Sequence, residues 1–322
     1  MVSPFFLWGT AMVAMKDVLP QTTPLFLAGM RLVPAGVLIL LVAAVAGLPQ
    51  PQTGRAWAWI GLFALLDALM FQGFLAEGLE RTGAGLGSVM IDSQPIAIAL
   101  LSSWLFAERI GGWGWLGLGL GILGISLIGL PSDWWLGGWQ QQSVAITWDG
   151  SALLANGQWW MLLAAIAMAT GTVTIRYVSR HADPVVATGW HMILGGLPLW
   201  GLSALGETGQ WQTIDTTGWL ELGYATLMGS AIAYGVFFYI AAQGNLTSFT
   251  ALTFLTPVFA LLFSNLFLGE VLNGVQWPGV LLTLVSIALI NQRDRLSQWQ
   301  QHHPSPQPSG STAATPVKVE KE

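Results

Sequence analysis

Two segments of this chain repeat the same pattern of residues at a separation of 162 positions. The first runs from Pro95 to Glu108 and the second from Pro257 to Glu270, and both lie within long apolar stretches. Glycines and tryptophans in the apolar stretch that follows recur at the same separation. An internal duplication of this size constrains the fold, because the chain must then be built from two copies of one structural unit.

The composition indicates that most of the protein surface contacts lipid. Of 322 residues 53% are hydrophobic and 8% are charged, and the mean hydropathy is +0.61. A water-soluble domain carries about 25% charged residues, so a water-exposed surface of ordinary size cannot be assembled here. The 18 tryptophans cluster near the ends of apolar runs, where their amphipathic rings occupy the headgroup region of a bilayer. We therefore predict an integral membrane protein whose main partner is the lipid bilayer.

The same composition argues against several other classes of function. The chain has no cysteine, so it has neither disulfides nor thiolate metal sites. Its net charge of −5 is spread thinly, which argues against a nucleic-acid partner. His302 and His303 lie in a polar tail and make no persuasive metal site. We predict no metal ion and no other cofactor.

Hydropathy divides the chain into apolar windows that are bounded by Pro, Gly and polar clusters. We predict an all-α membrane protein with ten transmembrane helices as two inverted five-helix repeats, because a five-helix unit must enter its second copy with reversed orientation. The ten windows cover about residues 4–19, 24–48, 57–78, 84–106, 111–130, 157–177, 184–205, 218–241, 247–268 and 274–291.

Four segments follow from these windows. Residues 1–130 form the first repeat, residues 131–156 a connecting loop outside the cytoplasm, and residues 157–291 the second repeat. Residues 292–322 are rich in Pro, Gln and Ser, and we predict a disordered cytoplasmic tail. Basic residues favour a topology with both termini inside, a bias that comes mainly from the second half. We expect a multi-pass protein of the plasma or inner membrane.

The first apolar window is short. About a dozen residues separate Ser3 from Lys16, whereas a spanning helix needs roughly 20. We expect that translation starts upstream of Met1; the alternative is that Lys16 snorkels from a short tilted helix.

The arrangement of these features resembles the EamA-type members of the drug/metabolite transporter superfamily. The resemblance rests on ten helices in two fused repeats, on Trp8, Gly9 and Thr10 ahead of Lys16, and on the two Pro-to-Glu segments. It covers about residues 4–291, and the truncated first helix is its one departure. The resemblance implies an exporter or exchanger of amino acids and related metabolites, with a central cavity between the halves and no ATPase.

Asp92 is the strongest candidate for binding a substrate or a proton. It lies within an apolar window, three residues before Pro95. A proline leaves one carbonyl of the preceding turn without its donor, so a carboxylate beside it can hold a proton or a substrate ammonium group. The alternative is a protonated Asp92 that bonds a neighbouring helix. Phe254 occupies the equivalent position of the second copy, so the acid belongs to the first copy alone.

Three further ionisable residues lie within apolar windows, where such residues are costly and therefore functional candidates. Asp67 either lines a cavity or bonds Arg31 or His191 to stabilise the bundle. Arg31 and His191 occupy equivalent positions in the two copies. Arg31 is either an interfacial residue that snorkels or pairs with a carboxylate, or a clamp for a substrate carboxylate or phosphate. His191 either gates proton coupling, because imidazole titrates near neutral pH, or is a hydrogen-bonded structural residue.

Aromatic and helix-end residues complete the candidates. Phe71 follows Asp67 on one helical stripe and Tyr234 offers a hydroxyl from the second copy, so both are candidate cavity walls. Four residues have predicted structural roles: the prolines break helices, and the glutamates cap the following helix or pair with a nearby arginine. These four are Pro95, Pro257, Glu108 and Glu270.

We predict a secondary transporter that moves a small organic solute by alternating access, either down its own gradient or in exchange with protons. An intramembrane enzyme is disfavoured, because no nucleophile–base pair or metal motif is present and we predict no catalytic residue. A non-transporting scaffold is the alternative, although the loops are short for large contact regions. The small residues Gly117 and Gly121 allow either a homodimer or packing within the fold.

Overall fold

A computed structural model of the chain describes residues 2–81, 91, 94–129, 157–243, 246–268, 274 and 276–302. Every regular element of these residues is helical. The α-helices are α1 (Ser3–Val18), α2 (Pro24–Val45), α3 (Gly54–Phe63), α4 (Phe71–Arg81), α5 (Gln94–Phe106), α6 (Gly111–Gly129), α7 (Gly157–Val178), α8 (Pro184–Gly206), α9 (Thr216–Tyr224), α10 (Ala233–Gln243), α11 (Leu246–Thr250), α12 (Leu255–Leu268) and α13 (Gln276–His302).

Short segments of other helical types join some of these helices into longer rods. A π-helical segment, Ala64–Met70, connects α3 to α4, and a second, Ala225–Ile232, connects α9 to α10. The two π-helical segments end 162 residues apart, which is the separation of the sequence repeat. Because a π-helix is rare and occurs mostly as a single turn inside an α-helix, its recurrence at this separation is a shared structural feature of the two copies.

Five of the rods are long and apolar enough to cross a membrane. Shorter apolar helices of 10–17 residues accompany them in the described residues. The predicted class, an all-α membrane protein, is confirmed, whereas the count of ten spanning helices stays a prediction. The five long rods are Pro24–Val45, Gly54–Gly78, Trp159–Val178, Pro184–Gly206 and Thr216–Gln243, and the shorter helices are Ser3–Met15, Gln94–Phe106, Gly111–Leu127, Leu246–Phe259 and Trp277–Gln292.

The last helix extends further than the hydropathy predicts. Helix α13 continues to His302, so residues 292–302 are helical where disorder was predicted. Gln, Arg and Leu are good helix formers, and a helix that has started within the bundle can continue past its apolar part. The predicted loop 131–156 and the rest of the predicted tail, residues 303–322, lie outside the described residues.

The most extensive contacts between the first and second halves are made by two helix pairs that are lined with glycine. Where α2 packs on α8, a Cβ on Gly36 would lie 2.6 Å from the carbonyl oxygen of Gly189. Where α6 packs on α13, a Cβ on Gly117 would lie 2.6 Å from Cγ1 of Ile290. Small residues permit such close approach of helices in a bilayer. The glycine face of α6 therefore packs within the fold.

An aromatic core lies where the two halves meet. Phe5 and Phe63 come from the first half, Phe237 and Phe238 come from the second, and all four side chains are fully buried. The rings of Phe63 and Phe238 meet edge to face with centroids 4.8 Å apart, which is a favourable arrangement for aromatic pairs. Two of its rings, Phe63 and Phe238, contact His191 of the candidate site.

Candidate functional site

Asp67 and His191 form a buried pair that joins the two halves. Asp67 lies in the π-helical segment between α3 and α4, whereas His191 lies in α8. Oδ2 of Asp67 is 3.3 Å from Nε2 of His191, and each residue is only 1% exposed. Of the two partners that the sequence leaves open for Asp67, the structure brings His191 into contact.

The hydrogen bonds of His191 determine how many protons this pair holds. Nδ1 of His191 lies 2.6 Å from the carbonyl oxygen of Thr188. A carbonyl only accepts hydrogen bonds, so we assign a proton to Nδ1. The contact between Nε2 and Asp67 then requires one more proton, carried either by the imidazole or by the carboxyl group. A hydrogen bond between these two side chains therefore needs one shared proton.

The orientation of the imidazole is fixed by two aromatic rings. The ring of Phe63 stacks on His191 at a centroid distance of 4.0 Å and an interplanar angle of 23°. Phe238 meets the same imidazole edge to face at 5.5 Å. These rings come from different halves, so a relative movement of the halves changes the surroundings of His191.

Two glycines allow the π-helical segment to reach its position. A Cβ on Gly171 of α7 would lie 2.6 Å from Cβ of Asp67, and a Cβ on Gly195 of α8 would collide with Cβ of Ala68. The backbone at Asp67 is therefore enclosed by neighbouring helices. Oδ1 of Asp67 is buried and has no hydrogen-bond partner in the part of the chain that the structure describes. A carboxylate oxygen that is buried without a partner indicates a site where a proton, a water molecule or a ligand completes the bonding.

Arg31 lies in α2 and bonds only neutral groups among the described residues. Its Nε donates to Oγ of Ser230 at 3.3 Å and its Nη1 contacts Sδ of Met15 at 2.6 Å. Arg31 is 6% exposed, and no described carboxylate lies within 4.0 Å of its guanidinium group. Arg31 is thus a buried cation to which the described structure brings no anion.

Tyr234 and Gln72 connect the halves beside these ionisable groups. Nε2 of Gln72 donates to the hydroxyl of Tyr234 at 2.7 Å. The two residues are 162 positions apart and therefore equivalent in the repeat. Tyr234 is close enough to interact electrostatically with both Asp67 and Arg31. Sequence reasoning named Tyr234 and missed Gln72 and the Ser230 hydroxyl; the repeat separation applied to Tyr234 was the available signal for Gln72.

The remaining predicted site residues that the structure describes lie outside the groups around Asp67 and Arg31 presented above. Phe71 is 3% exposed and belongs to the large hydrophobic cluster that also includes the aromatic core. The two prolines, Pro95 and Pro257, are buried. Asp92 and Glu270 lie outside the described residues. Among the residues that are described, no three His, Asp or Glu side chains are grouped closely enough to hold a metal ion.

Glu108 joins the two halves at an end of the bundle. Its carboxylate accepts hydrogen bonds from the backbone N–H of Leu246 at 3.3 Å and of Thr247 at 3.4 Å, and from the Thr247 hydroxyl at 2.9 Å. Nη1 of Arg176 lies 2.9 Å from the same carboxylate. Glu108 thus pairs with an arginine and caps α11 of the second half, rather than the following helix α6. The first N–H groups of a helix lack internal partners, and Glu108 supplies them from a distant part of the chain.

The described residues form a bundle with five helices that are long and apolar enough to cross a membrane, and ionisable side chains are buried where its halves meet. These features assign the chain to the polytopic membrane proteins. The model of the EamA-like transporter family matches the chain twice, over residues 1–130 and 155–292. The chain belongs to this family of membrane transporters.

Similar proteins occur in cyanobacteria and plants. The chain is 64% identical to the uncharacterized transporter sll0355 of Synechocystis, over 92% of this chain and 90% of that protein. It is 50% identical to the chloroplastic WAT1-related protein At3g02690 of Arabidopsis thaliana, over 90% of this chain and 68% of that protein. A solved crystal structure superposes with a TM-score of 0.75 at 16% identity and covers 92% of this chain and 96% of that one, a likeness of fold alone.

Proposed function

We propose that this protein is a secondary carrier that moves a small organic metabolite, such as an amino acid, by alternating access. In this proposal ten helices span the membrane as two inverted five-helix repeats, 1–130 and 157–291, joined by an extracytoplasmic loop. Three observations support the duplication: the family match occurs twice, the π-helical segments recur at the repeat separation, and Gln72 bonds its own counterpart Tyr234. Fused repeats commonly place a substrate site at their junction.

The Asp67–His191 pair carries the further proposal that transport is coupled to protons. The contact between the two side chains needs one proton, and they belong to different halves. Loss of that proton leaves two hydrogen-bond acceptors facing each other, which weakens the junction, and uptake restores it. Protonation therefore biases the relative position of α8 and the π-helical segment, which is the movement that alternating access requires.

The test is transport by purified protein in proteoliposomes. Vesicles loaded with a mixed panel of amino acids and other small metabolites are assayed for release by mass spectrometry, with and without a pH gradient. We expect at least one solute to move at a rate that responds to the gradient. Asp67→Asn, which keeps the size of the side chain, is expected to move the same solute without that response.

Each part of the proposal can fail separately. If no solute moves through protein of verified folding, the carrier proposal is wrong and the scaffold alternative gains support. If Asp67→Asn retains the full response to the gradient, the coupling role of the pair is wrong while the carrier proposal stands. Because the chain has no cysteine, a single cysteine introduced in the tail, at Ser305, tests by impermeant labelling whether the C-terminus is cytoplasmic.

A further inference from the structure

We propose that Arg31 binds the anionic group, a carboxylate or a phosphate, of the transported solute. This inference rests on the proposed carrier function and adds to it a chemical feature of the substrate, a carboxylate or phosphate group such as that of an amino acid. The observation behind it is a guanidinium group that is buried between the halves while the described acceptors around it are neutral.

The first argument is the bonding of Arg31 itself. A guanidinium group has five N–H donors in a planar fork that matches a carboxylate or phosphate. In the structure its described bonds go to a hydroxyl, Ser230 Oγ, and to a thioether, Met15 Sδ, which is a weak acceptor. Arg31 also lies roughly 10 Å along α2 from Pro24, at 1.5 Å per residue, so it is not at the helix end. Charged residues at such positions are costly, and those that occur mark substrate pathways.

The second argument comes from the equivalent place in the other half. At the separation of 160 residues that relates α2 to α8, Arg31 corresponds to His191. His191 has an acidic partner, Asp67, whereas the position that corresponds to Asp67 at 162 residues is Gly229. Arg31 instead bonds the neighbouring residue, Ser230. His191 therefore has an acidic partner in the described structure, whereas Arg31 bonds the residue next to the glycine that replaces this acid.

The third argument is steric. A Cβ on Gly229 would collide with Cβ of Ala11 in α1, so no acidic side chain fits there in the present packing. The residue that corresponds to Ala11 is Gly171, which is the glycine that makes space for Asp67. Asp67 is thus accompanied by Gly171, whereas the equivalent Gly229 is accompanied by Ala11. Position 229 therefore supplies no acidic partner for Arg31.

The fourth argument is that other donors lie nearby. The Tyr234 hydroxyl accepts from Gln72, which leaves its own proton to donate. The ring of Trp8 contacts that of Tyr234 at 5.1 Å, and the buried Nε1 of Trp8 has no hydrogen-bond partner among the described residues. Tyr234 interacts electrostatically with Arg31, and Trp8 lies against Tyr234. We infer that the hydroxyl proton and the indole N–H add donors beside the guanidinium group, which is the chemistry that binds an anion.

The experiment uses solute pairs that differ only in the charged group. The pairs are benzoate with benzamide, L-phenylalanine with L-phenylalaninamide, and glucose 6-phosphate with glucose. Release from proteoliposomes is measured for wild type, Arg31→Met and Arg31→Lys, with Arg180→Met as the matched control because Arg180 is exposed. We expect wild type and Arg180→Met to move at least one member that carries a carboxylate or phosphate, here called the anionic member, about tenfold faster than its partner without that group, since a bidentate contact with guanidinium is strong. Arg31→Met is expected to lose this preference and Arg31→Lys to retain part of it; the pair that responds distinguishes carboxylate from phosphate.

A designed double variant provides a second test that does not depend on removing Arg31. Ala11→Gly with Gly229→Asp gives this junction the acid and the space that Asp67 and Gly171 have in the other half. We expect the double variant to fold, to melt at a higher temperature than wild type, and to lose movement of the anionic members, because the introduced carboxylate becomes the partner of Arg31.

The outcomes separate this inference from the carrier proposal. If the only solutes that move are those without a carboxylate or phosphate, and Arg31→Met moves them as fast as wild type, the anion inference is wrong and the carrier proposal stands. If nothing moves in any protein, the carrier proposal is wrong, and binding decides the anion inference. In that case, melting in detergent with benzoate or benzamide is compared for wild type and Arg31→Met. A benzoate-specific rise that the variant loses supports an anion site at Arg31, and an unchanged rise contradicts it.

Discussion

The two halves of the chain have the same backbone feature at their junction and different side chains on it. Each half contains a π-helical segment at the repeat separation, but the first carries Asp67 and the second carries Gly229 at the equivalent position. The partners differ accordingly, since His191 faces an acid and Arg31 faces a serine hydroxyl. In our proposals, the Asp67–His191 pair of one junction holds a proton and Arg31 at the other binds an anion.

Breaking this division of roles gives the largest expected effects. Asp67→Asn and His191→Gln are each expected to abolish the response of transport to a pH gradient, because either change removes the exchangeable proton of the pair. Arg31→Lys is expected to keep that response, because the pair is untouched. The measurement is the initial rate of solute release from proteoliposomes at several pH gradients.

One junction is the contact of Asp67 with His191, and the other is the contact of Arg31 with Ser230. An Arg31 variant that lost both the gradient response and the solute preference would show that these two contacts act as one unit. The division of roles between the halves would then be wrong. Arg180→Met serves again as the control for removal of a positive charge, because its side chain is exposed and the contact it makes among the described residues is with the ring of Tyr177.

Gly171→Ala, alone and combined with Asp67→Gly, separates the effect of packing on stability from the effect of the acid on transport. Gly171→Ala places a methyl group 2.6 Å from Cβ of Asp67, and overpacking of this kind costs about 1–3 kcal/mol of unfolding free energy. Adding Asp67→Gly produces the combination found in the other half, Ala11 with Gly229, and is expected to restore most of the loss. The free energy of unfolding of both variants is measured by denaturant titration in detergent.

A double variant that regains stability but does not respond to a pH gradient would separate the packing role of these positions from the proton role of Asp67. The double variant lacks the acid and is expected to show no gradient response even when it is as stable as wild type. If Gly171→Ala is as stable as wild type by itself, the close approach at Asp67 is not a constraint and the steric comparison fails. Gly201→Ala in α8 is the matched control, because a Cβ there meets no atom within 4 Å.

At the ends of the bundle each half supplies a carboxylate that caps a helix of the other. Glu108 caps α11 and pairs with Arg176, whereas Glu207 accepts from the N–H groups of Leu25 and Phe26 at 2.9 and 3.1 Å. In the described residues, no basic side chain lies within 4.0 Å of Glu207. We expect Glu108→Gln to cost about 1–2 kcal/mol of unfolding free energy and Glu207→Gln about 0.5–1 kcal/mol, because only the first loses an ion pair as well as charged caps.

Equal losses in thermal melting for these two variants would show that the Arg176 contact contributes nothing beyond the cap. A melting series at increasing salt concentration provides the control. The extra loss in Glu108→Gln is expected to shrink as salt rises, because the ion pair is partly exposed to solvent and is screened.

The apolar windows predicted the helices well, since α2 and α8 begin at the predicted prolines and end within three residues of the predicted boundaries. The π-helical segments were not predictable in this way, because hydropathy does not register one extra residue in a turn. An extra residue in a turn rotates the side chains that follow it, so hydropathy alone could not choose between Arg31 and His191 as the partner of Asp67. Gln72 was also missed, because its role depends on a hydrogen bond with Tyr234, which lies 162 residues away in the sequence.

The contact between equivalent residues offers the finest test of the comparison between the halves. Gln72 and Tyr234 occupy one position of the repeat, yet they form a donor–acceptor pair because the halves carry different residues there. Tyr234→Phe removes the acceptor and leaves the Gln72 amide without this bond, so we expect a loss of about 0.5–1.5 kcal/mol of unfolding free energy. Gln72→Leu with Tyr234→Phe removes both partners and is expected to be closer to wild type than Tyr234→Phe alone, because no buried donor then lacks an acceptor. Thermal melting of the single and double variants measures this coupling, and strictly additive losses would mean that the hydrogen bond contributes nothing to holding the halves together.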